Sequence, residues 1–166
     1  MGAKEQFVAL LNTHGSVVQF HRADSVIICP CVTPEGFRDP EWHDAHPTEP
    51  VCDERGYLHD PAATTDISVK AFVQPSQSTR ATRMSPEYLQ EMFGEIQMGD
   101  HIGIFPESWN GTVLNFHDWS QSGEDWIRYD ERYYIVVAGN LLPAPDTGLR
   151  HHWECGLRLI DTPLGQ

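Results

Sequence analysis

Trp126-Ile127-Arg128-Tyr129, then Asp130-Glu131, then Arg132-Tyr133-Tyr134-Ile135-Val136-Val137-Ala138-Gly139 carries the clearest structural signal in the chain. Two runs of aromatic and β-branched residues flank a polar two-residue step, which is the pattern of a β-hairpin. The step lacks the usual glycine, so the turn type stays open. Towards the C-terminus, His151 to Ile160 sets Trp153, Cys155, Leu157 and Leu159 on one face and reads as a closing strand. Towards the N-terminus, His101-Ile102-Gly103-Ile104-Phe105 is a short strand stopped by Pro106, and a long loop rich in Trp, Asn, Gly and Ser fills 106–124. Ile67 to Gln74 alternates at period two and closes at Pro75; Ser16 to Arg22 repeats the pattern, and Ser25-Val26-Ile27-Ile28 leads into a cysteine cluster.

Two segments carry helical spacing. Glu5 to Asn12 places Phe7, Leu10 and Leu11 on one face before Asn12-Thr13-His14-Gly15. Ser85-Pro86-Glu87 opens the second with a capping serine, a first-turn proline and an acid at the positive end. Its expected stripe is Leu89, Met92, Phe93 and Ile96, weakened by Gly94 and ended by Gly99. Several short strands with so little helix predict a mainly β fold, a small antiparallel barrel or sandwich with one or two short helices. The length of 166 residues predicts one domain over 1–166.

The chain carries 11 basic and 24 acidic residues, a formal charge of −13. That balance argues against clamping DNA by counterion release and against docking on anionic lipid. No apolar run is long enough to span a membrane. The opening Met1-Gly2-Ala3-Lys4-Glu5 leads into an amphipathic segment rather than an apolar signal core, so the expectation is a chain made and folded in cytosol.

Residues 29–61 break the pattern. Prolines at 30, 34, 40, 47, 50 and 61 and glycines at 36 and 56 forbid long regular elements, yet Phe37, Trp42, Val51, Tyr57 and Leu58 do not suit disorder. This Pro-rich loop, inserted in the β fold, needs a staple. Cys29-Pro30-Cys31, His43, His46 and Cys52 supply one, because three thiols and an imidazole are the ligand set of a structural tetrahedral zinc site. Spacing does not choose between His43 and His46. A Cys29–Cys52 or Cys31–Cys52 disulfide is the alternative staple, and a group of ordinary buried cysteines with surface histidines is the plainest one. A catalytic zinc would need an open position and a carboxylate, for which Glu41, Asp44, Glu49 and Asp53 are near in sequence. His43-Asp44-Ala45-His46 only superficially resembles a metalloprotease helix, and His152-Trp153-Glu154-Cys155 is half of a zinc deaminase signature without its partner half.

No nucleophile elbow, phosphate-binding loop or dinucleotide fingerprint is present, so the expectation is no enzyme and no catalytic residue. Ser78-Thr79-Arg80-Ala81-Thr82-Arg83 reads first as a solvated loop, and its two arginines would suit an acidic partner or a phosphate backbone. Of the five tryptophans, Trp126 and Trp153 read as core; Trp109 and Trp119, in the long loop, suit the core and a protein contact equally.

Gly99-Asp100-His101-Ile102-Gly103-Ile104-Phe105-Pro106, followed by Asp125 to Val136, resembles the strand–loop–hairpin pattern of tailed-bacteriophage head-closure (stopper) proteins. Cys29-Pro30-Cys31, Gly36-Phe37-Arg38-Asp39-Pro40-Glu41-Trp42-His43 and Val51-Cys52 are similar to a cysteine-bearing region of neck proteins of actinobacterial phages. The resemblance implies a structural virion protein, a head-tail connector of the phage neck. It would be a small β-barrel assembling with itself into a homo-oligomeric ring that closes the DNA-filled head. Its implied neighbours are the portal or adaptor protein on the head side and the tail terminator or tail tube protein on the tail side. Genomic DNA would pass through the lumen unbound, because like charges repel. A tail terminator ring of the same neck is the nearest alternative, and a small zinc-dependent hydrolase or deaminase the alternative from another class.

Overall fold

The computed structural model describes residues 2–23, 25–34, 36–60, 64–76, 86–117, 119, 123–143 and 150–161. Its elements are, in order, α1 (Ala3–His14), β1 (Ser16–Arg22), β2 (Ser25–Ile28), α2 (Pro40–Ala45), β3 (Tyr57–Asp60), β4 (Thr65–Pro75), α3 (Pro86–Phe93), β5 (His101–Pro106), β6 (Ser108–Trp109), β7 (Thr112–Val113), β8 (Trp126–Tyr129), β9 (Arg132–Pro143) and β10 (Arg150–Ile160). Six strands close a barrel in the order β1-β4-β5-β10-β9-β8, with every pairing antiparallel. The fold is therefore mainly β and a barrel rather than a sandwich.

Alternation along the strands fills the interior. Val18 and Phe20 of β1, Val69 and Ala71 of β4, Phe105 of β5, Tyr134 and Val136 of β9, and Trp153, Cys155 and Leu157 of β10 are all buried in one cluster. Leu159, expected on that face, is 38% exposed. The pairing of β10 with β9 shifts between Gly156 and Leu157, so the last turn of the strand leaves the wall's regular alternation.

The hairpin β8–β9 forms across Asp130 and Glu131, both in the left-handed region at φ 50° and 61°. The chain thus makes a primed-type turn without glycine, at a conformational cost. A second hairpin, β6–β7, turns on Asn110 and Gly111 at φ 49° and 81°. That Asn-Gly pair is the usual sequence for such a turn.

Beyond it the long loop folds inward. Leu114, Phe116 and Trp119 are buried in the barrel core, Phe116 and Trp119 stacking with centroids 5.5 Å apart, and Trp109 packs partly buried against them. Of the two readings that stood equal for the loop tryptophans, Trp119 takes the core one. Arg22 fixes this plug, donating to the carbonyls of Asn115 at 2.6 Å and His117 at 2.8 Å, lying over the Trp119 ring, and pairing with buried Asp125.

Three helices form, where one or two were expected. α1 and α3 pack outside the barrel, Phe7 against Phe72, and Leu89 and Phe93 against Ile102. α3 stops at Phe93, earlier than expected, because Gly94 takes φ +67° and donates its N–H to the Gln90 carbonyl. Ile96 consequently sits outside the helix, 37% exposed. Arg158 then ties the helix end to the barrel, donating to the carbonyls of Phe93 and Glu95 and to both oxygens of Asp100. The capping residue Ser85 and the basic segment Ser78 to Arg83 lie outside the described residues. No helix among the described residues is long and apolar enough to cross a membrane.

Candidate metal centre

The insertion between β1 and β4 leaves the barrel at Arg22 and returns at Thr65, two residues that face each other in the ladder. Within it β2 and β3 form a two-stranded sheet, so Cys29 follows β2 directly. The Cys29 N–H bonds to the Gly56 carbonyl at 2.8 Å, and Val32 N–H turns back to the Cys29 carbonyl at 3.0 Å. That turn, carried by Pro30, sends Cys29 and Cys31 to the same place. Gly56 sits at φ +82°, and a Cβ there would meet Val32 Cγ2 at 2.4 Å, so only glycine allows the close approach.

Cys52 is set by Asp53. One oxygen of that carboxylate accepts from the N–H groups of Arg55 and Tyr57, each at 2.9 Å, and the other meets His59 Nε2 at 2.7 Å. Burial works against the Asp53 carboxylate, but His59 and the two amides together lower its pKa.

His43 comes from α2, the helix that the sequence did not lead one to expect. Pro40 at its first position and Asp39, whose carboxylate accepts from the Glu41 N–H at 3.0 Å, start a six-residue helix inside the Pro-rich loop. Pro47 lies just beyond the His46 cap, consistent with a helix that ends there.

These elements bring Cys29, Cys31, His43 and Cys52 together, with their ligand atoms all within 4.8 Å of one another. His43 Nε2 is 3.6 Å from Cys29 Sγ and 3.5 Å from Cys52 Sγ, and Cys31 Sγ is 3.4 Å from Cys52 Sγ. A tetrahedral site with metal–sulfur bonds of about 2.3 Å and metal–nitrogen bonds of about 2.0–2.1 Å has S···N edges of about 3.5 Å and S···S edges of about 3.8 Å. These two S···N separations match, and the Cys31–Cys52 S···S separation is tighter. The cluster is therefore shaped to hold a metal ion.

His46 is not part of it. Its ring stacks on Trp42 with centroids 4.1 Å apart, its Nδ1 meets the Trp42 carbonyl at 2.7 Å, and it is exposed. His46 follows the last residue of α2 as its C-cap, at φ −128° and ψ 62°, so the chain has left the helix there and the ring folds back on Trp42 instead of following His43 to the sulfurs. All four cysteines are free, so the disulfide alternatives are not formed. Among the described residues no carboxylate joins the cluster. Glu41, Asp44 and Glu49 are exposed, and Asp53 is engaged as above. The half-signature at His152 to Cys155 places Cys155 in the barrel core, while His152 meets Phe7 of α1 outside the wall. Alternate strand residues on opposite faces do not share a ligand.

The three thiols are in electrostatic conflict. Burial disfavours the Cys29 thiolate, but the Cys31 amide, the thiols of Cys31 and Cys52 and the Arg38 guanidinium outweigh it, and its pKa is lowered. Burial, then hydrogen bonds and charge from Cys29 and Cys52, push Cys31 up to about 12. With Cys31 held so high beside the Cys29 thiolate, its own ionisation calls for a cation between them. A divalent metal held by Cys29, Cys31, His43 and Cys52 would supply that charge, favouring the thiolate forms of the cysteines.

Sequence reasoning missed the Asp53–His59 support and the α2 platform. The Asp39-Pro40 pair was a legible signal for the helix, since an N-cap acid before proline is a helix start. Comparison with protein-family models, with curated proteins and with solved structures found no match to this chain.

Proposed function

We propose that the chain is a structural protein of the tailed-phage neck, assembling as a head-closure ring, with zinc held by Cys29, Cys31, His43 and Cys52. The observation that carries the structural role of the metal is the donor set, three thiols and one imidazole within 4.8 Å of one another, with no carboxylate among them in the described residues. Such a set closes a tetrahedron and leaves no position for a substrate or an activated water, so no residue is assigned a catalytic role. The metal would supply folding free energy to a module with a small core of its own, in which Val32, Trp42 and Leu58 pack on the cysteines.

The neck assignment is supported by where the family-like segments fall. Gly99 to Pro106 contains β5, Asp125 to Val136 contains β8 and the start of β9, and Cys29 to Cys52 is the metal module. A charge of −13 suits a protein surrounding DNA that must slide past without sticking.

Metal analysis and negative-stain imaging of the purified chain test the two halves separately. The expected result is about one zinc per chain, by the four-donor set, and ring-shaped particles. Full occupancy by a metal that turns over a small ester, amide or nucleobase would overturn the structural reading. A chain that is absent from the neck density of its virion would overturn the assignment to that place.

A further inference from the structure

Cys31 and Cys52 stand closer than a shared metal requires. Their sulfurs are 3.4 Å apart and unbonded, against an edge of about 3.8 Å in a tetrahedral site. A disulfide joins sulfurs at about 2.05 Å, so the pair has little more than an ångström to close.

The chain path suits this pair. A bond between Cys29 and Cys31 would have to bend round Pro30 alone, whose ring fixes its φ. A bond between Cys31 and Cys52 instead closes a loop over residues 32–51, both ends of which are already held. The Cys31 carbonyl accepts from the Asp39 N–H at 2.8 Å, and Val32 bridges to Arg38 beside it. At the far end the Asp53 carboxylate accepts from the Arg55 and Tyr57 amides, each at 2.9 Å. None of these bonds passes through the metal.

The pair also includes the sulfur that a small oxidant reaches first. Cys52 is the most open of the three cysteines at 7% exposed, and it follows exposed Val51. The exposed Arg38 guanidinium lies beside Cys52 and Cys31, a cation that favours a departing hydroxide.

We propose that the cluster is a redox exchange site, in which a peroxide converts Cys31 and Cys52 into a disulfide, the metal leaves, and the covalent bond takes over the closing of residues 32–51. The inference rests on the metal reading above and adds its regulation. The Cys52 sulfur attacks one peroxide oxygen, the O–O bond breaks and hydroxide departs, leaving a sulfenic acid. The Cys31 sulfur attacks the sulfenic sulfur, the S–O bond breaks and a second hydroxide departs. Two protons, from the thiols or from solvent where the metal had held thiolates, turn both hydroxides into water. Each sulfur gives up one electron, and the peroxide takes up two. Cys29 and His43 remain, too few donors for a closed site. Under the neck reading the occasion is release of a particle from a reducing cytosol into an oxidising medium.

The test treats the zinc-loaded full chain with hydrogen peroxide, reading released zinc with a chromogenic chelator and bonds by peptide mapping. About one equivalent of zinc is expected to leave in step with a Cys31–Cys52 bond and a mass lower by two hydrogens. Cys155, in the barrel core, is expected to stay reduced. Residues 33–51 should resist protease in the oxidised chain and be cut in a reduced chain stripped of metal. C29S is expected to form the same bond. A zinc-loaded chain that keeps its metal and thiols overturns the exchange and spares the metal reading. Loss of metal to sulfinic acids, to a Cys29 disulfide or to links between chains does the same, as does an oxidised chain cut as readily as the stripped one. A reduced chain that takes up no zinc overturns the metal reading, and the exchange with it.

Discussion

The sulfurs of Cys31 and Cys52 lie 3.4 Å apart and unbonded, with His43 Nε2 3.5 Å from the second of them. Replacing Cys52 by Ser removes one donor of four, and metal content is expected to fall from about one equivalent to well below half. Limited proteolysis is then expected to cut between residues 33 and 51 faster than in the metal-loaded wild type. Atomic absorption and mass spectrometry of the fragments read both effects.

His43 of α2 and His46 at its C-cap separate ligand from neighbour. His43→Ala is expected to lower metal content as the cysteine variant does. His46→Ala loses a stacked ring and one exposed bond to Trp42, so its cost should stay below about 1 kcal/mol with metal content unchanged. Equal metal loss in both variants would contradict the geometry of the cluster.

The hairpin turn at Asp130 and Glu131 holds two ordinary residues at positive φ. Glu131→Gly should stabilise the chain by about 0.5–1 kcal/mol, since glycine removes the left-handed penalty but adds unfolded-state entropy. The midpoint of urea unfolding should rise with no change in slope.

Trp119 comes from a segment with little regular structure, yet it is buried against Phe116 and Phe20. Trp119→Ala is expected to cost about 3–5 kcal/mol, the range for emptying a large aromatic site. A loss under 1 kcal/mol on chemical denaturation would show that the plug is not part of the core.

Tyr88 and Glu154 predict two pH limits. The His152 hydrogen bond chiefly, opposed by burial and helped by Tyr88, holds Glu154 below its ordinary 4.5. Its stabilisation is present above that value and is lost as pH falls through the native pKa. Burial chiefly, with the Glu154 charge and against the Asn140 bond, lifts Tyr88 from 10.0 to about 12. That contribution is present below pH 10 and is lost as pH rises towards 12. Glu154→Gln should flatten the acid limb of the stability profile and Tyr88→Phe the alkaline limb.

The barrel was legible because its strands obey period two. Val18 and Phe20, Val69 and Ala71, and Trp153, Cys155 and Leu157 alternate in the sequence and point inward in the structure. The segment 106–124 was opaque because Leu114, Phe116 and Trp119 follow neither period; they are buried by packing into the barrel core against Phe20, Phe105 and Trp153. The cysteines announced the metal cluster, but the choice of His43 over His46 depended on which way a six-residue helix faces, and that is set by Asp39 and Pro40 together with the sulfurs it packs on.

Arg22 and Thr65 stand opposite each other on adjoining staves, so the entire cysteine-bearing excursion starts and finishes on one rung. Cutting it out and bridging that rung with a tight turn would leave the other five seams of the barrel untouched. The excursion is rooted on that single rung and leans on the body where β2 meets β7 and where Tyr57 lies beside His117, so those contacts are what a replacement would have to restore.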